Sequence, residues 1–167
     1  MFINRFLFCL IIFLLLGCSN LEFVYNYQDS IKYFHKKTLV STSGDDSDVL
    51  SSYINSRLKG NTDSKKAIYS LVVKSDKDVV ASVIKKDATA SKFQIKYNIF
   101  YKLRNNSKNC MLINKKITTE SYYDAKSSGY SFGTDVSEKE SSANNLQSNV
   151  DEFLKLLAIT EFNSDCL

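Results

Sequence analysis

The chain has one histidine, no proline, no tryptophan and five glycines in 167 residues. The shortage of histidine excludes the most. A serine nucleophile needs a base, usually His, held within hydrogen-bond reach. The stretch GYSFG, Gly129 to Gly133, has the G-x-S-x-G pattern of a nucleophile elbow. It follows a strand-like segment and precedes a helical one, the context that motif requires. In α/β-hydrolases, however, the histidine follows the serine, and here the single His35 precedes Ser131. The domain is also too small for the parallel sheet of that fold. A Ser–Lys dyad survives on residue type alone. GYSFG therefore reads as a strand-to-helix connector whose glycines take backbone angles that other residues avoid.

Other sites are missing too. The sequence has no C-x-x-C, no H-E-x-x-H, no second His for a metal cluster, no P-loop and no G-x-G-x-x-G. GDDSD, Gly44 to Asp48, gathers carboxylates but lacks the spacing and closing Glu of a calcium loop. The expectation is a protein that is not an enzyme, with no catalytic residue, metal ligand or cofactor.

No apolar run is long enough to span a bilayer. Phe6 to Leu16 is unbroken apolar sequence behind Arg5. Its eleven residues rise about 16 Å as a helix, against a hydrocarbon core of roughly 30 Å. A short apolar run behind a basic start is a signal-peptide core. The run ends LLGCSN. Leu15-Leu16-Gly17-Cys18 resembles a bacterial lipobox, in which cleavage precedes a cysteine that then carries lipid. Several acyl chains, each contributing about 0.8 kcal/mol per buried methylene, hold a protein stably at a bilayer. By the same resemblance, Ser19 after Cys18 favours delivery to the outer membrane.

What remains is one domain. Removing Arg5 with the signal leaves 21 basic against 18 acidic residues, a net charge of +3. That is too weak to argue for nucleic acid. With 44% hydrophobic and 24% charged residues a packed core can form. Of four cysteines, Cys9 leaves with the signal and Cys18 is the lipid site. Cys110 and Cys166 remain, as a disulfide or as two free thiols. The expected organisation is a signal peptide at 1–17, a lipidated tether at 18–35, the domain at 36–160 and a tail at 161–167.

Periodicity supplies the elements. KKTLVSTS, Lys36 to Ser43, reads as a first strand. In the next segment Val49, Leu50, Tyr53, Ile54 and Leu58 share one helix face, with Asp45, Asp46 and Ser47 as caps and Gly60 as the stop. Ala67 to Lys86 is β-rich, with Ser75 to Asp78 either a hairpin turn or a bulge in one long strand. In KFQIKYNIFYKL, Lys92 to Leu103, strict alternation marks one buried and one wetter face. Cys110 to Tyr123 is a further strand. From Asp135, a capping candidate, the period changes to 3.6, with Val136, Ala143, Leu146, Val150, Phe153, Leu154 and Leu157 on one stripe. The fold class is α+β: a small, mostly antiparallel sheet of about four strands, order β-α-β-β-β-α, with two amphipathic helices on one face.

The order of lipobox, strand, helix, three strands and long C-terminal helix resembles LptE, the outer-membrane lipoprotein family of lipopolysaccharide assembly. VIKKDATASKFQIKYNIFYKL, Val83 to Leu103, is similar to that family's hairpin, with Asp87 and Phe93 in place and Ala88 where Gly is usual. TTESYYDAKSSGYSF, Thr118 to Phe132, is similar to its Ser-Tyr ending and following turn, with Ser128-Gly129-Tyr130 at the turn. The resemblance implies a protein on the periplasmic side of the outer membrane. It would plug and help assemble an LptD-like β-barrel and contact lipopolysaccharide, without binding nucleic acid. Lys92, Lys96 and Lys102, with Lys116 alongside and Lys85, Lys86 and Arg104 at the strand ends, would then face lipid A phosphates or the inner wall of the barrel. The plain alternative for this face is a solvated surface in a Lys-rich chain. The alternative function is that of an accessory lipoprotein in another envelope lipid-transport system.

Overall fold

A computed structural model describes residues 31–60, 67–125 and 131–167, with the backbone alone for 131–133. The signal peptide, Cys18, the tether up to residue 30, and Gly129 and Tyr130 of the connector lie outside the described residues. Six elements follow in order: β1 (Thr38–Gly44), α1 (Ser47–Leu58), β2 (Tyr69–Ile84), β3 (Ala90–Asn105), β4 (Cys110–Asp124) and α2 (Ser131–Ile159). The strands form one sheet in the order β1-β2-β3-β4. The β1–β2 pair is parallel because α1 carries the chain back across the sheet; the other two pairs are antiparallel. This is the expected α+β order, with a mixed sheet and both helices on one face.

The central alternation of β3 sets the layers. Ile95, Tyr97, Ile99, Tyr101 and Leu103 are all buried beneath the helices, while Lys96, Asn98, Phe100 and Lys102 face outward. β2 continues unbroken through Ser75 to Asp78, so no hairpin turn forms there. Its irregularities lie further on, between Ala81 and Ile84. At the other end Gly44 adopts φ 91°, and a Cβ there would collide with the Ser75 carbonyl oxygen. Only glycine permits so close an approach where the parallel pairing ends.

Several expected caps are used differently. Asp46 occupies the N-cap position of α1 without capping it. Its carboxylate instead accepts the Tyr97 hydroxyl and lies 3.6 Å from Lys77 Nζ. The Asp45 carboxylate accepts the Lys77 N–H at 2.8 Å. α1 ends through Lys59 in the left-handed region (φ 47°), so Gly60 is not the stopping residue. α2 begins at Ser131, which places Asp135 inside the helix. Val49 and Val136, assigned to the apolar stripes, are exposed, because each sits at the margin of its helix–sheet contact.

α2 is fastened by polar as well as apolar groups. Phe153 stacks on Tyr101 with ring centroids 4.1 Å apart. Asn149, fully buried, accepts the Tyr101 hydroxyl at 2.8 Å. It also donates to the Ile117 carbonyl and the Thr119 hydroxyl at 3.3 and 3.0 Å. Asn145 donates to the Ile95 carbonyl at 3.2 Å. Lys77 lies between the start of the two helices, 3.1 Å from the Glu138 carboxylate, which also accepts the Tyr123 hydroxyl at 3.2 Å.

Residues on either side of 36–160 pack onto the body. Ile31 and Phe34 belong to the core, and Phe34 meets Phe162 at 5.7 Å. Asn105 donates to the Cys166 carbonyl at 3.0 Å. Cys166 and Cys110 form a disulfide with Cα atoms 5.7 Å apart, tying the tail to the start of β4.

Two outcomes are expected. Asn149→Ala leaves the Tyr101 hydroxyl and the Ile117 carbonyl without their partner, and should lower stability in urea unfolding by about 1–3 kcal/mol. The second concerns alkali. Burial, aided by the Glu138 charge, pushes the Tyr123 phenol from 10.0 up to about 12. Burial likewise raises Tyr97, with help from Asp46, and Tyr101. A phenol whose folded pKa is raised stabilises the fold fully below its unfolded value and loses that contribution as pH climbs through the folded one. The unfolding midpoint should therefore fall as pH rises from about 10 toward 12, and Tyr123→Phe should flatten part of that fall.

Candidate binding face

The helices cover one side of the sheet. The other side is available to a ligand or partner, and cross-strand register decides its chemistry. At the Asp124 end of β4, Lys92 lies opposite Asp124, and its ammonium sits 5.8 Å from the Tyr122 ring centroid. Lys96 lies between Asp78 and Glu120 and forms an ion pair with Glu120 at 3.4 Å. Gln94 donates to Glu120 at 2.8 Å. The positive charge in this half is largely matched by neighbouring carboxylates.

The half toward the Cys110 end differs. One row across the strands reads Lys74, Phe100, Lys116, the next Val72, Lys102, Asn114, and the last Ser70, Arg104, Met111. These three rows contain no carboxylate; Asp76 borders them. Val72, Phe100 and Met111 are 49%, 41% and 50% exposed, large values for apolar side chains in a strand. The Lys116 ammonium sits 5.5 Å from the Phe100 ring centroid. An apolar centre ringed by cations suits an amphiphile with an anionic headgroup, since the rings and methyls take acyl carbon while the ammonium groups bond phosphate.

The seven cations expected from sequence therefore divide into three sets. Lys102, Arg104 and Lys116 come together. Lys92 and Lys96 stand apart among acids. Lys85 and Lys86 lie at the exposed β2–β3 turn, roughly 35 Å of strand from Lys74. Lys74 was not among the expected residues. Its outward position follows once β2 is read as one continuous strand with Leu71 and Val73 inside.

At the β2–β3 turn, Ala88 takes φ 63° where glycine would be at ease. The exposed Asp87 carboxyl is held below its usual range chiefly by bonds from Thr89. Its Oδ1 accepts the Thr89 hydroxyl at 2.7 Å and the Thr89 N–H at 3.1 Å.

His35 and Ser131 lie at opposite ends of the molecule. His35 precedes β1 at the Cys110 end of the sheet, whereas α2 starts beyond the Asp124 end. β4 has 15 residues, which separates the two by roughly 45 Å of strand. His35 lines a groove of about 550 Å³ with Ser56, Arg57 and Asp151. The Ser56 hydroxyl there donates to the Tyr53 carbonyl at 2.7 Å. Among the described residues no group of three or more His, Cys, Asp or Glu side chains could hold a metal ion, and no helix is long and apolar enough to cross a membrane.

No family model and no curated protein matches the sequence. Solved structures do match the backbone. A candidate lipoprotein from Caulobacter crescentus superposes with a TM-score of 0.58 at 12% identity, over 78% of this chain and 95% of that one. Rare lipoprotein B from Shewanella oneidensis gives 0.57 at 12% identity, over 72% and 92%. The fold is one that bacterial lipoproteins share. A minor lipoprotein from Acinetobacter baumannii extends the set, with a TM-score of 0.53 at 8% identity over 74% of this chain and 91% of that chain.

The division of the cations predicts a selective effect. Charge reversal at Lys102 and Lys116 should weaken binding of a long-chain alkyl phosphate at least roughly tenfold, since a charge-assisted bond contributes about 1.5–3 kcal/mol. The same change at Lys92 and Lys96 should alter binding less than about twofold, because those ammonium groups already face carboxylates. Equilibrium binding to a labelled alkyl phosphate at two salt concentrations checks both.

Proposed function

We propose that this chain is an outer-membrane lipoprotein of the LptE type, anchored on the periplasmic side through lipid on Cys18. It acts without catalysis: it plugs and helps assemble an LptD-like β-barrel and contacts lipopolysaccharide in transit. The backbone match to rare lipoprotein B, an LptE-like fold, is the observation that carries this reading. The lipobox-like Leu15-Leu16-Gly17-Cys18 supports it independently. So does the outer face of the sheet, where Lys74, Lys102, Arg104 and Lys116 surround Phe100.

Such a protein works by shape and charge. The helices pack on the sheet, and the disulfide between Cys110 and Cys166 closes the tail onto it. The basic rows give anionic phosphates a set of charge-assisted partners beside an apolar surface. A barrel wall carrying carboxylates would use the same contacts.

Affinity purification from detergent-solubilised outer membranes tests the reading. A large β-barrel should co-purify, and Cys18→Ala should move the protein out of the membrane fraction. An inner-membrane transporter in place of the barrel would instead identify an accessory subunit of another lipid-transport system. Recovery of neither partner would overturn both.

A further inference from the structure

β2 is longer than the strand that covers it. β1 pairs with it only from Tyr69 to Ser75. The side to which each backbone group points is fixed by the hydrogen bonds along the strand. The Tyr69 N–H donates to Lys37, the Ser75 carbonyl accepts from the Asp45 N–H, and the Lys77 N–H donates to the Asp45 carboxylate, all on the β1 side. Strand alternation then turns the N–H and C=O groups of Val79 and Ala81 to that same side. β1 has ended there, and among the described residues nothing pairs with them.

The side chains along this edge are unusual for a free one. Val79, Val80, Val83 and Ile84 are 38%, 44%, 47% and 64% exposed. VVASVI, Val79 to Ile84, has no charge and no proline, the devices that normally blunt a sheet edge. A bulge follows Ala81, which leaves a straight pairing window before it.

The charges flanking this window indicate its occupant. Asp76 and Asp78 lie at one end, with Asp45 on the adjoining loop; Lys77 between them is paired with Asp46 and Glu138. Lys85 and Lys86 lie at the other, where the Asp87 carboxylate is turned onto Thr89. Two copies paired antiparallel set each acidic end against the basic end of its partner. A parallel pair would set like against like. The edge is thus self-complementary in one direction only, as an isologous two-fold contact requires.

We propose that the free edge of β2, Asp76–Ala81, pairs antiparallel with the same edge of a second copy of this chain, joining two four-stranded sheets into one. A dyad between antiparallel strands stands perpendicular to the sheet. It keeps the helices of both copies on one side and brings both Lys74–Phe100–Lys116 rows onto the other.

The test uses the full chain in detergent and follows amide exchange at Val79 and Ala81 with rising protein concentration. Exchange at these two amides should slow at least roughly tenfold while the core amides of Tyr97 and Tyr101 stay constant. Sharing a micelle would not protect two edge amides selectively. Val79→Pro removes an N–H that faces away from β3, so the intramolecular ladder is kept and association should be lost. In a second series, Asp76→Lys with Asp78→Lys, and Lys85→Asp with Lys86→Asp, should each abolish self-association, and mixing the two variants should restore it. Concentration-independent exchange in the unaltered chain, or failure of the mixed variants to pair, would overturn the proposal.

Discussion

The joint between Tyr101 and the C-terminal helix organises this molecule. One ring face lies flat on Phe153, and the hydroxyl is taken up by Asn149, which in turn reaches across to β4. Apolar contact alone would let a 29-residue helix slide along a smooth sheet at little cost. The buried amide forbids this, because any shift strands a donor or acceptor in a dry interface. Lys77 repeats the device at the other end, with Asp46 and Glu138 holding the beginnings of both helices to the sheet. These contacts select a position more than they add stability, since two of the groups remain partly exposed and screened.

Fixing both helices on one side leaves a broad sheet face that no other described element covers. A strand that alternates apolar and polar residues ordinarily solvates that face. Here the polar positions are sorted by charge along the strands: acids accompany lysines near the β2–β3 turn, and lysines stand without them near the disulfide. Phe100 and Val72 at the centre of the uncompensated half give it an apolar component that a solvated face would not need. Cations beside exposed apolar side chains are complementary to groups that are both anionic and apolar.

The ends of the sheet are as informative as its faces. β1 stops at Gly44 because the chain must turn there into α1, and the approach to Ser75 leaves no room for a side chain. Past Gly44 the sheet continues as β2, β3 and β4, with the outer edge of β2 unpaired among the described residues. A further strand along that edge would satisfy backbone groups for which those residues supply no partner.

What the residues determined alone follows from short-range physics. Period two in Lys92 to Leu103 set which side chains of β3 face inward, and therefore that Lys96, Lys102 and Arg104 face out. Period 3.6 after Asp135 marked the long helix. These are local consequences of pleat and helix pitch. Register is not local. Only the paired strands placed Glu120 against Lys96 and Phe100 between Lys74 and Lys116, turning one expected basic surface into two unlike halves. Only packing revealed that Asn145 and Asn149 lie inside, since their burial depends on carbonyls and hydroxyls contributed by β3 and β4, from about 25 to 50 positions away. The proximity of Cys110 and Cys166 is likewise a product of the whole sheet, because 56 residues of chain must fold before the two sulfurs can meet.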